Sequence, residues 1–188
     1  MTDFEKALSI TLKFEGGWAD DPDDPGGQTM MGVTQKTYDD YRLGKGLPHA
    51  SVHEITDDEL HQIYYAGYWA PSGCDNFIWP LSACVFDFAV NSGVSRAMVA
   101  LQTIIGANAD GRFGPVTRGL VQQQDPATLA VKLNAARRQY LAAIVAQNPR
   151  LQKFFPGWTK RVAMLEREVL PATQSTQPDT PEPDGDSA

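Results

Sequence analysis

The chain is short of the residues that hold metals and close disulfides. Cys74 and Cys84 are its only cysteines, and their spacing fits neither a redox pair nor a zinc ligand set, so they read as two ordinary thiols. The three histidines, His49, His53 and His61, have no cysteine beside them, so neither a metal site nor a cofactor is expected. Long hydrophobic runs are missing too. Nothing approaches the roughly 20 apolar residues a membrane helix requires, which excludes stable membrane insertion. The opening "MTDFEKALS" is acidic and amphipathic, unlike a secretory signal, so the expectation is synthesis in the cytoplasm without a signal peptide. Positive charge is scarce in the first part of the chain. Residues 1–111 carry −10, residues 112–170 carry +7 and residues 171–188 carry −4, within a total of −7. A basic stretch in an acidic chain suits an anionic polymer, although solvated helix faces alone would also explain it. No helix-turn-helix or aromatic stacking motif accompanies it, so no nucleic acid is expected.

What the chain does have is helical periodicity. Phe4, Ala7, Leu8, Thr11 and Leu12 recur at helical spacing, predicting a helix over 3–15 with Thr2 or Asp3 as its cap. Thr34 opens a helix to about Arg42, and Thr56-Asp57-Asp58-Glu59 has the capping-box pattern for a helix over 57–68. Residues 81–92, "LSACVFDFAVNS", are apolar nearly all round and so predict a buried helix closed by Gly93. Further helices follow over 94–105, after Pro115, from Asp125-Pro126 to about Gln147, and over 157–169. Residues 19–32 hold too much Asp, Pro and Gly for regular structure, with a short extended piece at 30–33. The tail, "PATQSTQPDTPEPDGDSA", has no hydrophobe beyond alanine and is expected to be disordered. The fold class expected is all-α.

One carboxylate has an unusual setting. Glu15 lies on the stripe of Leu8, Thr11 and Leu12 at the end of the first helix, with Gly16-Gly17-Trp18 directly behind it. Partial burial and the negative end of the helix dipole both disfavour its ionised form, as a proton donor requires. The two glycines remove side chains where a ligand must approach. Asp20, Asp21, Asp23 and Asp24 follow on a loop, and two carboxyl groups in unlike environments are the working pair of a glycosidase. Thr29 and Thr34 are the nearby hydroxyls suited to holding a water. The same residues also make an ordinary helix C-cap and an ordinary acidic loop. A calcium loop of the EF-hand kind is not supported, because "DDPDDPGGQTMM" has no acidic residue at its far end.

Glu15-Gly16-Gly17-Trp18, then Asp24-Pro25-Gly26-Gly27-x-Thr29 and Gly32-Val33-Thr34, resembles the N-terminal signature of the glycoside hydrolase family 108 muramidases. "YWAPSGCDNF" (68–77), "FDFAVNSG" (86–93) and "ADGRFGPVT" (109–117) resemble further blocks of the same proteins, the last from their predicted peptidoglycan-binding region. The resemblance implies a lysozyme-like helical fold that cuts the β-1,4 bond between N-acetylmuramic acid and N-acetylglucosamine. It implies Glu15 as catalytic acid. Asp24 is assigned as the second carboxylate by analogy with phage lysozymes, from its spacing nine residues beyond Glu15. Met30-Met31 stands where relatives often carry a polar residue.

The domain reading is a catalytic region over 1–92, a helical peptidoglycan-binding region over 93–170 packed on it, and the acidic tail. Catalytic residues are Glu15, Asp24 and Thr29, with Gly17, Trp18, Thr34, Tyr68, Trp69 and Asn91 at the substrate. Tyr68 and Trp69 serve equally as core or as sugar platforms. Asp87 and Asn91, one helical turn apart, make either an internal network or, through Asn91, a contact to an N-acetyl group. The partner expected is peptidoglycan, met by a monomer that reaches the wall through a holin or a secretion system. The alternatives are a lytic transglycosylase and a non-catalytic wall-binding or secretion-accessory module.

Overall fold

The first helix starts where its capping chemistry dictates. The Thr2 hydroxyl accepts from the Glu5 amide at 3.2 Å while the Glu5 carboxylate accepts from the Thr2 amide at 2.7 Å, which satisfies two end donors reciprocally. Helix α1 (Asp3–Glu15) ends at Gly16, whose φ of 71° suits a residue without Cβ. In this computed structural model residues 1–19 and 28–170 are described. The aspartates of the 20–24 loop, Asp24 among them, and the tail expected to be disordered lie outside the described residues.

Helices α2 (Gln35–Gly44), α3 (Asp57–Tyr64), α4 (Leu81–Ser92), α5 (Val94–Ile105), α6 (Pro115–Val121), α7 (Pro126–Gln147) and α8 (Phe155–Val169) follow. Thr34 caps α2, Thr56 caps α3 with a second complete capping box, and Asp125 caps α7 ahead of Pro126. Among the described residues no helix is long and apolar enough to cross a membrane.

Two elements differ from expectation. The α-helix expected over 57–68 stops at Tyr64 and continues as a π-helical turn, Tyr65–Trp69. The extended piece at 30–33 is a hairpin. Strands β2 (Thr29–Met30) and β3 (Val33–Thr34) pair antiparallel, and β1 (Trp18–Ala19) pairs with β2. Met31 and Gly32 form the turn, both at positive φ (48° and 77°), as a two-residue hairpin turn matched to strand twist requires. Gly32 adopts this freely; Met31 does so against its preference and is held by the Tyr64 hydroxyl, which donates to its carbonyl at 2.7 Å.

Helix α4 is the axis of the molecule. Leu81 through Ala89 are all buried, and α1, α5 and α7 pack around it, while α8 packs on α7 and α1 and reaches α4 through Arg161. The all-round apolar sequence is thereby explained, each buried Phe or Leu contributing about 1.5–3 kcal/mol. The core is continuous. Leu8, Tyr64 and Phe86 share it with Met98, Leu101, Leu129, Leu133 and Leu165 from the chain's second half. The 106–114 loop belongs to the same body: buried Gln102 donates to Asp110 (2.8 Å), the Arg112 carbonyl (3.0 Å) and Thr117 (3.2 Å), and accepts from the Gly111 amide. The Phe113 ring lies so tightly over Gly73 that any Cβ there would overlap it.

Candidate active site

Glu15 is carried to the end of α1 by the stripe that buries Leu8 and Thr11, and its side chain is 18% exposed. Arg161 of α8 donates to Oε1 at 2.6 Å. On the other side stands the bare backbone of the hairpin turn. A Cβ on Gly32 would come within 2.8 Å of Glu15 Oε2 and 2.6 Å of the Tyr64 hydroxyl. The carboxylate therefore sits in a slot between a guanidinium and a glycine. Gly16 and Gly17 beside it are exposed, and no atom of the described residues lies close enough to touch an added Cβ. The Gly17 carbonyl accepts from the Met31 amide at 3.3 Å and ties the helix end to the hairpin.

Behind the slot lies a buried charge network. Asp87, the sole charged residue of α4, accepts from Arg161 Nε (3.1 Å) and Nη2 (2.8 Å), Arg137 Nη1 (2.7 Å) and the Thr11 hydroxyl (3.1 Å). Arg137 Nη2 donates on to Asn91 at 3.1 Å. Two carboxylates and two guanidiniums make it neutral. Burial opposes the Asp87 charge, but Arg137 and Arg161 outweigh it and hold its carboxyl below the usual range. Burial likewise opposes charge on Arg161, and Asp87 and Glu15 outweigh that, so its pKa is raised. The Tyr64 and Tyr68 hydroxyls are pushed up, first by burial and then by the Glu15 charge. Both stay neutral donors beside the carboxylate.

The other residues singled out from sequence are placed unevenly. Thr29 faces Thr34 across β2 and β3, with Ala19 next to them on the same face of the sheet. The Thr34 hydroxyl accepts from the Thr37 amide at 3.1 Å as the cap of α2, so its acceptor is already engaged. Trp18 lies on the opposite face with Met30 and Val33, 40% exposed, its ring edge-on to His53 at 4.8 Å. Tyr68 is half-buried, its ring 5.6 Å from that of Tyr64. Trp69 is not a sugar platform. It is 2% exposed, packs between Phe4 and Phe86, and donates its indole N–H to Asp75 at 2.7 Å. Asp87 proves internal, and Asn91 joins it through Arg137 while staying half-buried.

Sequence reasoning missed Arg161, Arg137, Tyr64 and Gly32. A signal existed for the arginines. Arg161 falls on the stripe of Trp158, Val162 and Leu165, and Arg137 on that of Ala130, Leu133 and Leu141. A cation on a buried stripe needs an anion. These two account for part of the basic excess that suggested an anionic polymer, and Arg138 is paired with Glu166. The Asp110 carboxylate is likewise engaged with Gln102 and the Arg112 amide.

A family model described as glycosyl hydrolase 108 matches residues 8–93, and one described as predicted peptidoglycan domain matches residues 96–163. The solved structure of Brucella abortus SagA matches with a TM-score of 0.72 and 31% identity, over 88% of this chain and 92% of that one. Among curated proteins none matches the chain. The architecture is accordingly lysozyme-like and mainly helical, with one small sheet. Fold, ordered sequence blocks and both models agree, and the chain belongs to the glycosyl hydrolase 108 family, as a glycoside hydrolase acting on peptidoglycan.

Proposed function

We propose that the protein is an N-acetylmuramidase, hydrolysing the β-1,4 bond between N-acetylmuramic acid and N-acetylglucosamine, with Glu15 as its catalytic acid. The observation that carries this reading is the slot: a carboxylate held beside two exposed glycines, with one oxygen on Arg161 and the other toward Gly32. Oε1 is engaged by the cation, so Oε2 is the oxygen assigned to proton transfer. Glu15 gives that proton to the glycosidic oxygen as the bond to the anomeric carbon breaks. Water adds to that carbon and loses a proton, which restores the acid over the cycle. Asp24 is the second carboxylate in this reading, orienting the water or stabilising the developing positive charge, and Thr29 is the hydroxyl that holds the water. Tyr68, Trp18 and Asn91 are proposed to contact the glycan. The place of action is the cell wall.

Glu15→Gln keeps the shape and removes the transferable proton. It is expected to abolish release of reducing ends from peptidoglycan, with a melting temperature near that of the wild type. A Glu15→Gln variant as active as wild type, or a wild type that releases none, overturns the assignment. Product analysis separates the chemistries: reducing muramic acid marks the hydrolase, whereas anhydro-muramic acid marks a lytic transglycosylase.

A further inference from the structure

We propose that Arg161 is a positioning residue for Glu15, so that the C-terminal region matched as a predicted peptidoglycan domain completes the active site built by the N-terminal one. The inference rests on Glu15 being the acid, as proposed above. The two residues stand 146 positions apart in sequence and 2.6 Å apart in space. Arg161 has no freedom to do otherwise. Its Nε and Nη2 are spent on Asp87, its guanidinium lies over the Phe14 ring at 5.2 Å, and only Nη1 points forward to Glu15. Asp87 is in turn fixed by Arg137 from α7 and Thr11 from α1. Helices α1, α4, α7 and α8 thus converge on one guanidinium, which transmits their rigidity to one oxygen of the acid.

Asp87 is shared with Arg137, so Glu15 supplies the second anion that the two guanidiniums need, and the same bond restrains its carboxylate, which Gly32 confines from the far side. Among the described residues Arg161 is the cation bonded to Glu15, with Asp87 and Arg137 behind it.

The test compares wild type, Arg161→Gln, Arg161→Lys and Glu15→Gln, each as full-length protein, by kcat and KM of peptidoglycan turnover and by thermal melting. In Arg161→Gln, kcat is expected to fall about 10- to 100-fold, the scale of a displaced catalytic group, with KM unchanged. Lysine keeps the charge but has one head where two carboxylates are served, so Arg161→Lys recovers part of the loss. A change confined to stability leaves kcat of the folded fraction unchanged. If Arg161→Gln does not fold, Arg161→Lys decides alone. The proposal is overturned when a folded Arg161 variant matches the wild type in kcat while Glu15→Gln is inactive. Failure of the muramidase reading looks different: the wild type releases no reducing ends, or Glu15→Gln stays active.

Discussion

Gly32→Ala tests the slot with one carbon atom. The added methyl meets two penalties that a control can separate. Alanine at a φ of 77° costs about 1–2 kcal/mol. Its Cβ also stands 2.8 Å from Glu15 Oε2 and must open to ordinary contact at 3.4 Å, so the carboxylate or the turn must retreat by about 0.6 Å. Arg161 blocks the carboxylate from behind at 2.6 Å, and Tyr64, at 2.6 Å from the same methyl, is fixed on the Met31 carbonyl. A displacement of about 1 Å costs roughly 100-fold in rate, so 0.6 Å corresponds to a loss of about tenfold or more. Gly46→Ala is the control. Its φ is 68°, and no atom of the described residues lies within 4 Å of an added Cβ, so it carries the conformational penalty without the clash. Both variants are expected to lose Tm by roughly 2–8 °C for that term in a chain of this size, Gly32→Ala somewhat more, but only Gly32→Ala loses turnover. The assay is reducing-end release at saturating peptidoglycan beside a thermal melt. A Gly32→Ala protein as active as Gly46→Ala refutes the reasoning, because Glu15 would then not be confined by that turn.

Asp87→Asn keeps the shape of the buried side chain and leaves two arginines undercompensated, at a cost of about 3–5 kcal/mol in urea unfolding at neutral pH. Because the Asp87 carboxyl is held below its unfolded range, its contribution is complete above that range and is lost as pH falls through the folded value. Wild-type stability should therefore drop in the acid window below about pH 4, whereas the Asp87→Asn protein, lacking the titrating group, shows a shallower decline there; parallel curves refute the assignment. Tyr64→Phe removes the donor to the strained Met31 carbonyl and should cost about 1 kcal/mol, seen as a lower urea midpoint with kcat reduced less than in Gly32→Ala. An unchanged midpoint would show that the turn does not depend on this bond.

Local chemistry is why so much of the helical frame was legible. Thr2, Thr56 and Asp125 satisfy end donors within three residues of themselves, and such short-range bonds leave a plain pattern in sequence. The place of Glu15 at the end of α1 was legible for the same reason, since helix phase and the two glycines are local. The hairpin was only half visible: a two-residue turn with Met at positive φ has no sequence signature, because Tyr64, thirty-three residues away, holds it. The expectation for α3 failed where the backbone widens into the π-helical turn at Tyr65, and Trp69 illustrates the limit of residue type, since the aromatic suited to a sugar belongs to the core. Arg161 is the long-range case. Its stripe announces a buried cation, but no local rule says that the anions are Asp87 and Glu15.

The Phe113 ring over Gly73 bears on how such proteins can be recombined. A wall-targeting module that hung from a linker could be exchanged between enzymes as a cassette. Here the loop that carries Phe113 is moored by Gln102 and closes over a notch left in the other half, where Phe77 meets the ring edge-on at 5.4 Å. A chimera joined near residue 95 would leave one parent's notch empty and the other's ring without a seat. Grafting must therefore carry Gly73, Phe77 and Phe113 together, as matched parts of one packed core.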